Sequence, residues 1–109
     1  MQSGSIKKAL NLKDREQEYV KANEIFGSLE NVDLIDIMGS KDQIFKDKEQ
    51  IEDILSYINL IFSDKIKENI KYVECMKKVE DTKDRLNKNN NFDMTIDNFT
   101  ITIWEEING

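Results

Sequence analysis

Two pairs of adjacent carboxylates, Glu52-Asp53 and Glu105-Glu106, have the residue type for general acid–base chemistry. That chemistry needs both carboxyls aimed at one substrate. Neighbours on a helix point about 100° apart, so each pair reads as a solvated helix face instead. The chain has no histidine, which removes the commonest general base and metal ligand. Cys75 is its one cysteine. Alone it forms neither a zinc cluster nor a supported thiol nucleophile, and no internal disulfide. Ser40, Ser56 and Ser63 have no base to activate them. A glycine-rich phosphate loop and an oxygen-rich calcium loop are both missing from the sequence. We expect no catalysis, cofactor, metal or small-molecule ligand.

Lysines are the next candidates. Lys7-Lys8, Lys65-Lys67 and Lys77-Lys78 could touch phosphate, but each is isolated or interleaved with acids. The formal net charge is -6, against autonomous binding to a duplex, whose affinity comes from neutralised phosphates. Phe92, Phe99 and Trp104 fit a core better than a base-stacking platform. An apolar run near the roughly 18 residues of a membrane span is absent, and the first residues lack the apolar centre of a signal peptide. With one cysteine and no disulfide, the expected location is the reducing cytoplasm.

The elements that position these residues are helical by pattern. Charged residues make up 35% of the chain, proline is absent and glycine occurs four times, so turn punctuation is scarce. At 109 residues the chain can bury about 65% of its unfolded surface, enough for a core without staples. The clearest stripe closes the chain. After Asn87, Asn89, Asn90 and Asn91 come Phe92, Ile96, Phe99, Ile103 and Ile107, one face of a helix of about four turns. Thr100-Ile101-Thr102-Ile103 also alternates as a strand would. The longer 3.6-residue stripe outweighs that short run.

Earlier in the chain, Ser3 or Ser5 could cap a short helix carrying Ile6, Ala9 and Leu10. Tyr19, Ala22, Ile25, Phe26 and Leu29 form a stripe between Lys13 and Glu30, interrupted by Gly27, at a cost of about 1 kcal/mol relative to alanine. Asn31 or Asp33 caps the next helix, with Leu34, Ile35, Ile37 and Met38, and Gly39 is the expected stop. Lys41 to Lys46 is then a connector that tucks Ile44 and Phe45 inward. Asp47 to Gln50 has the form of a capping box opening the strongest helix: Ile51, Ile54, Leu55, Ile58, Ile61 and Phe62, broadened by Tyr57 and Leu60. Ser63-Asp64 allows a break. Beyond it Ile66, Ile70 and Val73 share one face of a long helix, and Tyr72, Met76, Val79 and Leu86 a neighbouring one. The fold class expected is all-α, a bundle of about five helices. A first segment so short and sparsely apolar suggests a piece of a longer protein.

Two stretches carry a resemblance. Thr82-Lys83-Asp84-Arg85-Leu86, then Asn89-Asn90-Asn91-Phe92-Asp93-Met94, then Ile96-Asp97-Asn98 and Ile103-Trp104-Glu105-Glu106-Ile107, resemble the C-terminal end of the delta-prime subunits of bacterial DNA polymerase III clamp loaders, most of all the Gram-positive type. Ile70 to Cys75 adds to this. Gly4-Ser5-Ile6-Lys7-Lys8-Ala9-Leu10 looks like the lid segment that precedes the C-terminal domain in clamp-loader modules. Residues 12–61 match only as helical pattern, and Phe99 to Ile103 departs from the family's leucine run.

The resemblance implies that residues 1–12 end a lid region and 13–109 form a helical collar, an oligomerisation domain. It implies no ATP pocket and no catalytic role for Lys7. The implied partners are the tau/gamma and delta subunits, met through collar helices, with DNA reached only indirectly in the full complex. Ile101 and Trp104 are the expected subunit contacts. A small acidic helical regulator that sequesters a basic partner is the alternative.

Overall fold

The apolar periodicity becomes five helices in the computed structural model, which describes residues 16–45, 48–88 and 91–109. They are α1 (16–26), α2 (Leu34–Ile44), α3 (Ile51–Lys65), α4 (Tyr72–Asn87) and α5 (Phe92–Asn108). Single 3-10 turns stand at Leu29–Asn31 and Lys48–Gln50, and no strand occurs among the described residues. The all-α bundle expected from the sequence is what forms. The readings on residues 1–15, on Lys46 and the Asp47 cap, and on Asn89-Asn90 lie outside the described residues.

Asn91 starts α5. Its side-chain oxygen accepts from the Met94 N–H at 3.0 Å, satisfying one of the donors that every helix start leaves open. From there Ile96, Phe99, Ile103 and Ile107 are buried, each worth about 1.5–3 kcal/mol of apolar transfer. Phe92 packs half-buried beside them. The strand alternative fails because its Thr100 has a better place: buried on α5, its hydroxyl donates to the Asp97 carbonyl oxygen at 3.0 Å. Thr95, Thr82 and Ser40 likewise donate to the carbonyl four residues back, so these buried hydroxyls satisfy themselves within their own helix.

Side-chain pairs fix the topology. Ser56 meets Lys83 and Asn59 meets Glu80, so α3 and α4 run antiparallel. Lys78 meets Asn98 and Cys75 meets the Ile103 carbonyl, so α4 and α5 do as well. Lys41 pairs with Asp97 and Met38 with Thr100, which lays α2 antiparallel on the other flank of α5. Helix α1 then closes the core. Tyr19 sits on Tyr57 with ring centroids 4.8 Å apart, and Phe26 lies 6.0–6.3 Å from Phe45, Phe62 and Phe99. Aromatic rings from α1, α3, α5 and the end of α2 thus share one centre.

Several details differ from the pattern-based reading. Gly39 does not stop a helix; it lies inside α2, which runs on through Lys41 to Ile44 before Phe45 caps it. Ile44 and Phe45 do turn inward. Asp33 is the α2 cap, its backbone N–H donating to the Asp36 carboxylate at 3.4 Å. Helix α1 ends at Phe26, where the Gly27 N–H closes on the Asn23 carbonyl at 2.9 Å, and Leu29 is buried from the following turn. A Cβ on Gly27 would stand 2.5 Å from that Asn23 oxygen, so the turn needs glycine.

Helix α3 passes Ser63-Asp64 and ends at Lys65; residues 66–71 are turns, and the next helix begins only at Tyr72. Ile70 is consequently 71% exposed rather than on a helix face. Leu60 and Ile35 are exposed too: among the described residues no element packs on their side of α3 and α2. No helix of the described residues is long and apolar enough to cross a membrane.

Candidate functional site

At 100° per residue, α5 presents four sides. The core stripe faces inward. Asp97, Thr100 and Trp104 face α2 and the turn before it, as their partners Lys41, Met38 and Val32 show. Asn98, Thr102 and Glu106 border α4: Asn98 accepts from Lys78 at 2.7 Å, and Thr102 and Glu106 line a shallow groove with Lys78 and Glu74. What remains is an outward strip through Met94, Ile101 and Glu105. Met94 is 70% exposed and Ile101 half-buried, so two apolar side chains lie open between the flanking helices, with the exposed Glu105 carboxylate at the end of the strip.

Trp104 sits at the edge of that strip. Its indole N–H donates to the Val32 carbonyl oxygen at 2.8 Å, and its ring packs half-buried on the core. One turn on, the Asn108 amide donates to the Leu29 carbonyl at 2.8 Å and the Trp104 carbonyl at 3.2 Å. From α4, buried Tyr72 donates its hydroxyl to the Glu30 carboxylate at 2.7 Å. The segment from Leu29 to Val32 is therefore held by three side chains from the second half of the chain. Burial, followed by the Glu30 carboxylate, pushes the Tyr72 phenol well above its ordinary range.

The sequence-level chemical candidates are scattered over this frame. Glu105 and Glu106 are exposed on different sides of α5, and Glu52 and Asp53 are exposed on α3. Cys75 is buried between α4 and α5, and burial, then Glu106 and Glu74, push its thiol up to about 12. It stays protonated near neutral pH and is shielded, unlike a reactive thiol. The Ser40 hydroxyl is spent on Asp36, and Ser56 accepts from Lys83 at 2.8 Å. Of the lysines, Lys65, Lys77 and Lys78 pair with Glu68, Glu74 and Asp81; Lys7-Lys8 lie outside the described residues. Burial raises the Asp81 carboxyl, but Arg85 and Lys78 outweigh it and hold the group below its usual value. No group of acids and cysteine that could hold a metal occurs among the described residues.

Phe99 is wholly buried among Phe26 and Phe45, and Lys48 lies over the Phe92 ring at 5.2 Å, so neither ring offers a stacking face. Ile101 and Trp104, singled out from the sequence, lie next to each other at the outer edge of α5. Met94 and Asn108 were missed. The 3.6-residue spacing from Ile101 could have found Met94, whereas nothing local marks Asn108. Comparison with family models, curated proteins and solved structures returns no match.

Proposed function

We propose that this chain is a non-catalytic oligomerisation module, the collar domain of a clamp-loader subunit of delta-prime type. In that role it helps hold the ring of subunits that places a sliding clamp on primed DNA. The observation that carries the reading is the open strip on α5. After the core, α2 and α4 have taken three sides of that helix, Met94 and Ile101 remain on the fourth, with the outer edge of Trp104 beside them. Apolar residues at such spacing suit a neighbouring helix. Support comes as well from the all-α architecture and from the motif-like run of Arg85-Leu86, Asn91 and Trp104-Glu105-Glu106 at the end of α4 and along α5.

A stable interface of this kind buries about 1,200–2,000 Å² in total, more than one strip supplies, so several helices would take part. The test is size-exclusion chromatography of the chain with the collar domains of tau/gamma and delta subunits at tens-of-micromolar concentration. Co-elution that Ile101→Glu abolishes is the expected result. Separate elution of the unmodified chain from both partners overturns the assignment.

A further inference from the structure

We infer that Asn108-Gly109 is a site of spontaneous deamidation, gated by the last turn of α5, whose conversion cuts the tie between α5 and the Leu29–Asn31 turn. The chemistry starts from the sequence. Asn108 is the only asparagine followed by glycine; the others precede larger residues such as Ile70, Phe92 and Phe99. Without a Cβ, Gly109 leaves its backbone nitrogen unshielded and free to rotate toward the preceding side chain. In the reaction that nitrogen loses its proton to solvent and attacks Asn108 Cγ. The Cγ–Nδ2 bond breaks and the amide nitrogen leaves as ammonia. Water then opens the five-membered succinimide at either carbonyl, giving aspartate or isoaspartate. No oxidant or reductant is needed.

The folded chain restrains both reacting groups. The Gly109 N–H donates to the Glu105 carbonyl at 2.7 Å. The leaving amide is held by the Leu29 carbonyl at 2.8 Å and the Trp104 carbonyl at 3.2 Å. Attack therefore requires these bonds to open together, an end-of-helix fluctuation of the kind that has the lowest free energy in a fold. Asn108 itself is exposed, so water reaches it once the turn opens.

The product cannot return to the same place. A carboxylate has no hydrogen to donate, and it would face two carbonyl oxygens at the negative end of the α5 dipole. Glu105 and Glu106 add like charge nearby. Isoaspartate additionally inserts a methylene into the backbone and breaks the helical register. Either way the opened turn stays open, and Trp104, four residues back with its own bond to Val32, loses its neighbour.

The experiment incubates the full chain, folded and urea-unfolded, in mildly alkaline buffer and maps conversion by fragment-ion mass spectrometry. Conversion should concentrate at Asn108, and the need to release these three hydrogen bonds should slow it about tenfold or more in the folded chain. An Asn108 that stays intact in the unfolded chain, or converts there no faster than the other asparagines, overturns the site. Equal rates in both states overturn the gating. Asn108→Gln should abolish conversion at this position. Asn108→Asp should shift Trp104 emission to the red and speed amide exchange in the last turn of α5; unchanged emission and exchange overturn the claim that the tie is cut. None of these readouts involves a partner subunit, so they stand or fall apart from the collar assignment.

Discussion

The indole N–H of Trp104 donates to the backbone carbonyl of Val32 at 2.8 Å, joining residues 72 positions apart. The bond explains why a large aromatic residue at the edge of an outward strip stays half-buried. Its polar atom needs a partner, and Val32, extended between the 3-10 turn and α2, supplies a carbonyl that no helix uses. Trp104→Phe keeps most of the ring and removes the donor. It should cost about 1–2 kcal/mol in urea unfolding, because the Val32 carbonyl is left without its partner. A variant as stable as the parent would show that water replaces the indole at no cost.

Gly39 and Gly27 should respond oppositely to alanine. Nothing lies within 4 Å of a Cβ placed on Gly39, which sits inside α2, so Gly39→Ala should stabilise. The gain expected from helix propensity is about 0.5–1 kcal/mol. Gly27→Ala brings a Cβ to 2.5 Å from the Asn23 carbonyl and should destabilise. Thermal melts of the two variants give the signs directly, and equal signs would contradict the geometry.

Phe26 is the ring that touches three others from separate elements. Phe26→Ala should cost about 3–5 kcal/mol, a large part of the 5–15 kcal/mol that holds an ordinary domain together. Loss of a cooperative urea transition, or a midpoint lowered by that amount, is the expected outcome. Phe92→Ala, at a half-buried ring on the rim, should cost clearly less.

Alkaline pH should weaken the fold. Burial, aided by Glu106 and Glu74, pushes the Cys75 thiol from an ordinary 9.0 up to about 12. Between those values the unfolded chain has released this proton and the folded chain has not, so stability falls as pH rises. Below pH 9 the thiol contributes no slope. Tyr72, raised by burial and Glu30, acts in the same direction from its own ordinary value upward. Urea midpoints measured from pH 8 to 11 should decline, and Cys75→Val should flatten part of the decline. A midpoint that does not move over this range would show the thiol reaching solvent in the folded chain.

How much of this was legible depended on how local the cause was. The α5 stripe was readable because Phe92 to Ile107 and the Asn91 cap lie within one helix and obey one spacing. The same rule misplaced Leu60 and Ile70: periodicity says which side of a helix is apolar, not whether another element covers it. Gly39 reads as a stop because glycine is enriched after helices, yet Lys41-Asp97 and the buried Ile44 reward another turn. Ile101 and Trp104 were visible at the edge of α5 by their angle. The carbonyl that Trp104 reaches, and the whole role of Asn108, come from a turn more than seventy residues away. No window on the sequence spans that.

The ties on the Leu29–Val32 segment also order events in time. Antiparallel pairs α3–α4 and α4–α5 are joined by short connections and close small loops, whereas the bonds from Tyr72, Trp104 and Asn108 span 42, 72 and 79 residues. Loops that long close late, after the hairpin-like helices have docked. The segment then behaves as a latch fastened last and released first. Weakening it should quicken unfolding while leaving the refolding rate almost unchanged, so the two arms of a Trp104→Phe chevron would move unequally.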